Sequence, residues 1–318
     1  MTAAELLSKL RSLEVKIWAD NGELCCNAPQ GVLTAELRAA LSEHKAEILA
    51  VLGRAGARRR EPVLRRLPRD GDLPLSFAQQ RLWFIDQLEP GSALYNVPKA
   101  FRIGGRLSIA LLEQSLNEIV RRHEVLRTTF KVVDDRPVQN ISPSLMVCLP
   151  LVDLSHHPEG ERADEALRRV NEEASRPFDL SRGPLLRGLL VRLGAEDHIL
   201  LLTLHHIVSD GWSMAIVSRE LSALYDAFSN SRPLPLTELP IQYADFAQWQ
   251  RERLQGEVLE SHISYWKKQL EGIPAVLHLP TDRARPAVQS YRGGRQSFVR
   301  SRDLTELVKA LSRKEGVT

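Results

Sequence analysis

Residues 198–208, HILLLTLHHIV, constrain the fold more than any other stretch of the chain. From Ile199 to Leu204 the run is apolar almost without interruption, which fits a strand buried on both faces. A sheet with layers on each side must therefore form around it. Upstream, PLLRGLLVRL reads as a second strand, joined to the first through a hairpin at Gly194-Ala195-Glu196-Asp197. The run is also too short to span a bilayer. It ends on His205 and His206, with Asp210 and Gly211 close behind. Successive strand side chains point to opposite faces, so the two imidazoles cannot serve one site from a regular strand. One faces packing; the other faces whatever lies across the sheet end. That divergence, with no third ligand nearby, argues against a shared metal. Gly211 would allow close backbone approach or positive φ. Asp210, if buried, must be paired or hydrogen-bonded, and Ser213 can cap the helix that follows. The expectation is a stiff turn around one imidazole, at the kind of strand end where sites are built.

The flanking text supplies the layers. SFAQQRLWFIDQL predicts an amphipathic helix beginning near Ser76, with Ala78, Leu82, Phe84, Ile85 and Leu88 mostly inward. AFRIGG reads as a strand ending in a Gly-Gly turn. SIALLEQSLNEIVRRHEVLRTTF is a long helix passing into a strand at Thr128-Thr129-Phe130, and 160–176 is a charged helix stopped by Pro177. From Ser213 a further helix carries Ile216, Val217, Leu221, Leu224, Tyr225 and Phe228. The result is a mixed α/β layer domain with an internal antiparallel pair, and no repeat period is visible.

Ahead of it, residues 1–52 form a separate unit. Leu6, Leu7, Leu10 and Leu13 recur at helical spacing; Val15 to Trp18 alternates as a strand; Asp20-Asn21-Gly22 is a turn; Glu23 to Cys26 is the return strand. Thr34 caps a second helix whose apolar face is Leu37, Leu41, Ile48 and Leu52. The unit reads helix, hairpin, helix, with open hairpin edges. Between the two, residues 53–72 carry seven arginines with Gly and Pro and no periodicity. A like-charge run of this kind is a solvated linker rather than a patch for acidic partners.

Charge excludes little but helps. With 43 basic and 40 acidic side chains the net charge is +3, so no single-sign field recruits nucleic acid. Cys25, Cys26 and Cys148 make no disulfide framework and no metal pair, which suits a reducing cytoplasm. The N-terminus has no apolar h-region, so neither a signal peptide nor a membrane anchor is expected there.

These residues carry a resemblance. HHIVSDGWS resembles the HHxxxDG motif of the condensation domains of nonribosomal peptide synthetases, in the chloramphenicol acetyltransferase-like superfamily. SFAQQRLWFIDQLEPGSALYNVP (76–98), RRHEVLRTTF (121–130) and YADFAQWQ (243–250) resemble the first, second and fourth core motifs of those domains, and RPFDLSRGPLLR and LPTDRARP resemble further family text. The resemblance covers 73–318 and implies the N-terminal lobe of a two-lobed α/β sandwich, its second lobe due to begin where the chain stops at Thr318. Residues 1–52 resemble the TubC-type N-terminal docking domains, with Cys25 and Cys26 standing where a bulkier, more polar pair is frequent.

The family implies amide formation between a donor acyl or peptidyl thioester and an acceptor aminoacyl thioester. Both would be held on the 4'-phosphopantetheine of upstream and downstream peptidyl carrier domains, with no cofactor or metal bound directly. SFAQQRLWF with HHxxxDGWS is similar to the subtype joining two L-residues. A primary α-amine, with pKa about 7.7–8.0, is mostly protonated near neutrality, whereas an imidazole near 6.5 is mostly neutral. A thioester has a good leaving group, so positioning and proton handling are what the site must supply. By family match His206 is the catalytic base or positioning group, and His205 is its packed partner. Asp210 is structural, ion-paired with Arg122 or Arg127 or with a residue of the second lobe. The Gly211 N–H is a candidate oxyanion donor. The docking unit implies capture of an upstream synthetase's C-terminal peptide by strand addition, in the cytoplasm. The rival expectations are a non-catalytic interaction fragment, since the 318 residues alone would be inactive, or an epimerising or acyl-transferring variant of the same fold.

Overall fold

Nine consecutive residues, Asp197–His205, form one of the two inner strands of a four-stranded sheet in the computed structural model of the protein. The structure describes residues 3–13, 15–20, 23–28, 32–49, 63–277, 279–284, 293–294 and 296–317. The chain divides into two compact units, 1–266 and 267–318.

The first unit begins with α1 (Ala3–Ser12), β1 (Lys16–Asp20), β2 (Glu23–Asn27) and α2 (Ala35–Glu43). β1 and β2 pair antiparallel, Ile17 opposite Cys26 and Trp18 opposite Cys25. Leu6, Leu10, Val15, Leu37, Leu41 and Ile48 close a small core of their own. Thr34 caps α2 by accepting from the Leu37 N–H at 3.3 Å. The expected turn at Asn21-Gly22, and Leu52, lie outside the described residues.

The main layers follow in order. They are β3 (Leu73–Pro74), α3 (Phe77–Leu88), β4 (Asn96–Gly104), α4 (Ile109–Arg122), β5 (Thr128–Val133), β6 (Arg136–Ile141), β7 (Leu151–Asp153), α5 (Glu159–Ala174), β8 (Leu186–Gly194), β9 (Asp197–His205), α6 (Gly211–Ser229), α7 (Tyr243–Arg253) and α8 (Gly256–Gln269). The large sheet runs β4-β9-β8-β7, antiparallel except for β7 beside β8. A three-stranded sheet, β3-β6-β5, stands apart. Its β5–β6 turn puts both Asp134 and Asp135 at positive φ, 47° and 60°, as a two-residue hairpin turn requires.

β9 is covered on both faces, and the parity of its residues divides the domain. Leu200, Leu202 and Leu204 join the core made with α4 and α6, through Leu116, Ile119, Val217 and Leu224. Ile199 and Leu201 pack on the other side against Leu189, Val191 and Ala166 of α5. At about 25 cal/mol per Å² of apolar area removed from water, residues so enclosed are the main stabilising element of the sheet.

Two expectations are corrected. α3 faces inward only in part: Leu82 packs against the main core and Ile85 is half-buried, whereas Phe84 and Leu88 are 57% and 64% exposed and Ala78 is exposed too. Amphipathic spacing reports a stripe, not whether another element of the described residues covers it. The segment 53–72 is not a free tether throughout. Leu67 N–H donates to Asp245 at 2.9 Å, and the Arg69 guanidinium binds Asp245 at 2.8 Å and Glu124 at 2.7 Å. One of the seven arginines therefore clamps the segment's end to α7; residues 53–62 lie outside the described residues.

In the second unit, α9 (Arg302–Glu315) is capped by Ser301, accepting from the Leu304 N–H at 3.3 Å, and ends at Gly316 in the left-handed region. Among the described residues no helix is long and apolar enough to cross a membrane.

Candidate active site

Because β9 ends at His205, the two imidazoles part as their positions predict. His205 is 3% exposed, edge-on to Phe178 with ring centroids 6.0 Å apart and tilted against Tyr95 at 6.4 Å. Burial, helped by the neighbouring His206, pushes its pKa down to about 4. Its Nδ1 accepts the Ile207 N–H at 3.1 Å, a bond that only the unprotonated nitrogen can make. His205 is a neutral core residue.

His206 lies one residue beyond the strand and is exposed. Its backbone N–H donates to the Tyr95 carbonyl at 2.8 Å. Its Nδ1 stands 2.7 Å from the Ser209 carbonyl oxygen. A carbonyl only accepts, so Nδ1 carries the proton and the neutral ring keeps its lone pair on Nε2. The ring lines a cleft of about 460 Å³ together with Gln79, Arg81, Tyr95, Asp210 and Tyr243. A fixed tautomer with one basic nitrogen on an open cleft can hold or remove a proton there.

The turn after His206 is built by capping. Asp210 is the N-cap of α6: its carboxylate accepts from the Ser213 N–H at 2.8 Å and the Ser213 hydroxyl at 2.7 Å, and its own N–H donates to Ser213 Oγ at 3.2 Å. The Ser213 bonds, side chain and backbone, hold the carboxyl below its ordinary range. This reverses the expected roles, since Asp210 caps and Ser213 answers from the third helical position. Asp210 is exposed, and neither expected arginine meets it. Arg122 binds Glu220 at 3.3 Å and the Thr237 carbonyl; Arg127 binds the Ser142 carbonyl and lies 3.7 Å from Glu124. Both guanidinium groups are held by these other partners.

Gly211 is corrected as well. Its φ is not positive, and a Cβ added there would meet nothing within 4 Å. Neither backbone strain nor packing among the described residues demands glycine. The next residue, Trp212, is 82% exposed.

Sequence reasoning did not single out Gln79, Tyr95 or Tyr243, although all three lie inside quoted motif blocks. The signal for Gln79 was readable: Ser76-x-x-Gln79 is a capping box, with Ser76 N–H donating to Gln79 Oε1 at 3.0 Å and Gln79 N–H to Ser76 Oγ at 3.1 Å.

The sheet end thus presents one imidazole over an open cleft in a mixed α/β lobe. Comparison with known proteins gives the family of such a lobe. Residues 69–318 match the condensation domain family and residues 4–53 match the TubC N-terminal docking domain. The chain is 48% identical over 254 residues to the chondramide synthase cmdD of Chondromyces crocatus, covering 80% of this chain and 6% of that one. To phosphinothricin tripeptide synthetase PhsC of Streptomyces viridochromogenes it is 46% identical over 259 residues, 81% of this chain and 24% of that one. Among solved structures it resembles the X-domain of teicoplanin biosynthesis in its complex with OxyB, at TM-score 0.65 and 32% identity, covering 74% of this chain and 51% of that one. It also resembles the EpoB cyclization-docking bidomain of Sorangium cellulosum, at TM-score 0.62 and 25% identity, with coverage of 91% and 56%. The chain belongs to the condensation domain family of nonribosomal peptide synthetases, preceded by a TubC N-terminal docking domain. It spans about half the length of these solved structures and a quarter or less of these curated relatives.

Proposed function

We propose that the chain serves peptide-bond formation between carrier-bound thioesters, with His206 as the group that receives or orients the acceptor amine's proton. One observation carries the reading: the bond from Nδ1 to Ser209 leaves Nε2 as the free base of a ring on the cleft. The amine attacks the thioester carbon, the carbon–sulfur bond breaks, and the amine proton passes toward Nε2 while the donor's thiol leaves. No covalent enzyme intermediate is needed, because the thioester is already activated. The Gly211 N–H, at the positive end of α6, would favour the developing oxyanion. Asp210 has a structural role as the cap that stiffens this turn, and its exposed carboxylate leaves room for a pairing residue from the remainder of a complete domain.

Substrates would arrive on the phosphopantetheine of peptidyl carrier domains, in the cytoplasm, with no cofactor held by the chain itself. The exposed Phe84 and Leu88 on α3, the helix that walls the cleft, suit apolar docking of a carrier. The wording SFAQQRLWF with HHxxxDGWS supports the L-to-L subtype. Residues 4–53 would bind a C-terminal peptide of an upstream synthetase along an outer edge of the β1–β2 hairpin, which is two-stranded among the described residues.

A second reading has its own support. The X-domain to which the chain is similar was solved in complex with OxyB, so an interaction module of this fold is a real alternative. The test is a complete condensation domain containing these residues, given carrier-bound donor and acceptor. A dipeptidyl thioester that vanishes in His206→Ala supports catalysis; wild-type turnover in His206→Ala refutes it.

A further inference from the structure

We propose that Gln79 is a positioning residue that aims His206, an inference resting on the catalytic reading of His206 above. The backbone around that ring is tied at each polar group. His206 N–H is held by Tyr95 at 2.8 Å and the Ile207 N–H by His205 Nδ1 at 3.1 Å. The His206 carbonyl accepts from Ser209 N–H at 3.4 Å. The Ile207 carbonyl is met from outside the turn, by the Gln79 side chain, whose Nε2 donates at 3.5 Å.

Gln79 is itself fixed. It is 1% exposed, and its Oε1 accepts the Ser76 N–H at 3.0 Å. Ser76 Oγ in turn lies 2.9 Å from the Tyr243 hydroxyl, joining α3 to the first residue of α7. A buried amide needs partners for both its ends. Glutamate would satisfy the capping box equally well, but only the amide also supplies an N–H. The Ile207 carbonyl is therefore the reason for an amide at this position. Losing that donor frees the peptide that follows His206 and slackens the bond from Nδ1 to Ser209, which sets the tautomer.

Gln79→Glu separates capping from positioning, since it keeps the acceptor for Ser76 and removes the donor to Ile207. Gln79→Met removes both without adding charge, should a buried carboxylate prevent folding. The tautomer is read by long-range nitrogen-15 spectra of the imidazoles in the 318-residue chain, with the His206 signals assigned from their loss in His206→Gln. In whichever variant folds, the Nδ1–H share of neutral His206 is expected to fall. In the complete domain kcat for dipeptidyl thioester formation is expected to drop about 10–100-fold, with the acceptor KM unchanged. An unaltered His206 tautomer in a folded variant overturns the assignment, whatever its melting temperature. An altered tautomer with an unchanged rate upholds the assignment and refutes instead the catalytic reading of His206.

Discussion

The neutral, buried His205 makes stability depend on pH in a way that can be isolated. In the unfolded chain its imidazole titrates near 6.5; in the folded protein burial holds it at about 4. Between those values the unfolded state binds the proton and the folded state does not, so stability falls as pH is lowered through that window. Each pH unit across it is worth about 1.4 kcal/mol, and at pH 5 the loss relative to pH 7.5 comes to about 2 kcal/mol. Protonation must also break the bond from Ile207 N–H to Nδ1, which gives the shift a structural cause. His205→Phe removes the titration while keeping a ring beside Phe178. It leaves the Ile207 N–H unpaired, a penalty of about 1–3 kcal/mol that is the same at every pH. The assay is urea unfolding of both proteins from pH 7.5 to 5. The wild type should lose about 2 kcal/mol more than the variant over that range. His198, also buried and depressed chiefly by burial, contributes equally to both and cancels. Parallel pH curves would mean that His205 does not stay neutral in the fold, and the reasoning would fail.

Other outcomes follow from the same geometry. His206→Ala in a complete domain should slow condensation on the order of 10²–10⁴-fold, measured as dipeptidyl thioester formed per second. Asp210→Ala should destabilise by only about 0.5–2 kcal/mol, the range for a lost helix cap, and Asp210→Ser should restore most of it in thermal melts. Arg69→Met strips a cation from Asp245, which keeps backbone donors at Leu67 and Gln242. The expected loss is about 3 kcal/mol in urea unfolding, at the low end for a broken buried pair. Gly211→Ala should leave the melting temperature unchanged, because the added methyl meets open space. A fall in its condensation rate would then report substrate close to the Gly211 backbone.

What the sequence revealed, and what it hid, divides by the range of the interaction. The β9 run was legible because a strand enclosed on both faces has no polar alternation to disguise it, and the hairpin at Gly194–Asp197 was legible from its turn residues. That the two histidines part followed from strand parity; which of them is packed did not, and came only from the motif resemblance. The partners of Arg122 and Arg69 were not legible, since Glu220 and Asp245 lie far along the chain and charge spacing carries no information about them. Asp210 was misread toward a distant arginine although its nearest answer, Ser213, stood three residues away. α3 was misjudged because a stripe of leucine and phenylalanine looks the same whether or not something lies over it.

The strict odd-even division of β9 makes its length a digital quantity. Insert one amino acid between Ile199 and Leu204, with the hairpin pairing held at Asp197, and every later side chain changes sides. His205 would be carried out past the last rung of the ladder, and a leucine would take its place against Phe178. Which imidazole reaches the cleft is thus chosen by counting, and a single added codon would put the wrong neighbour there.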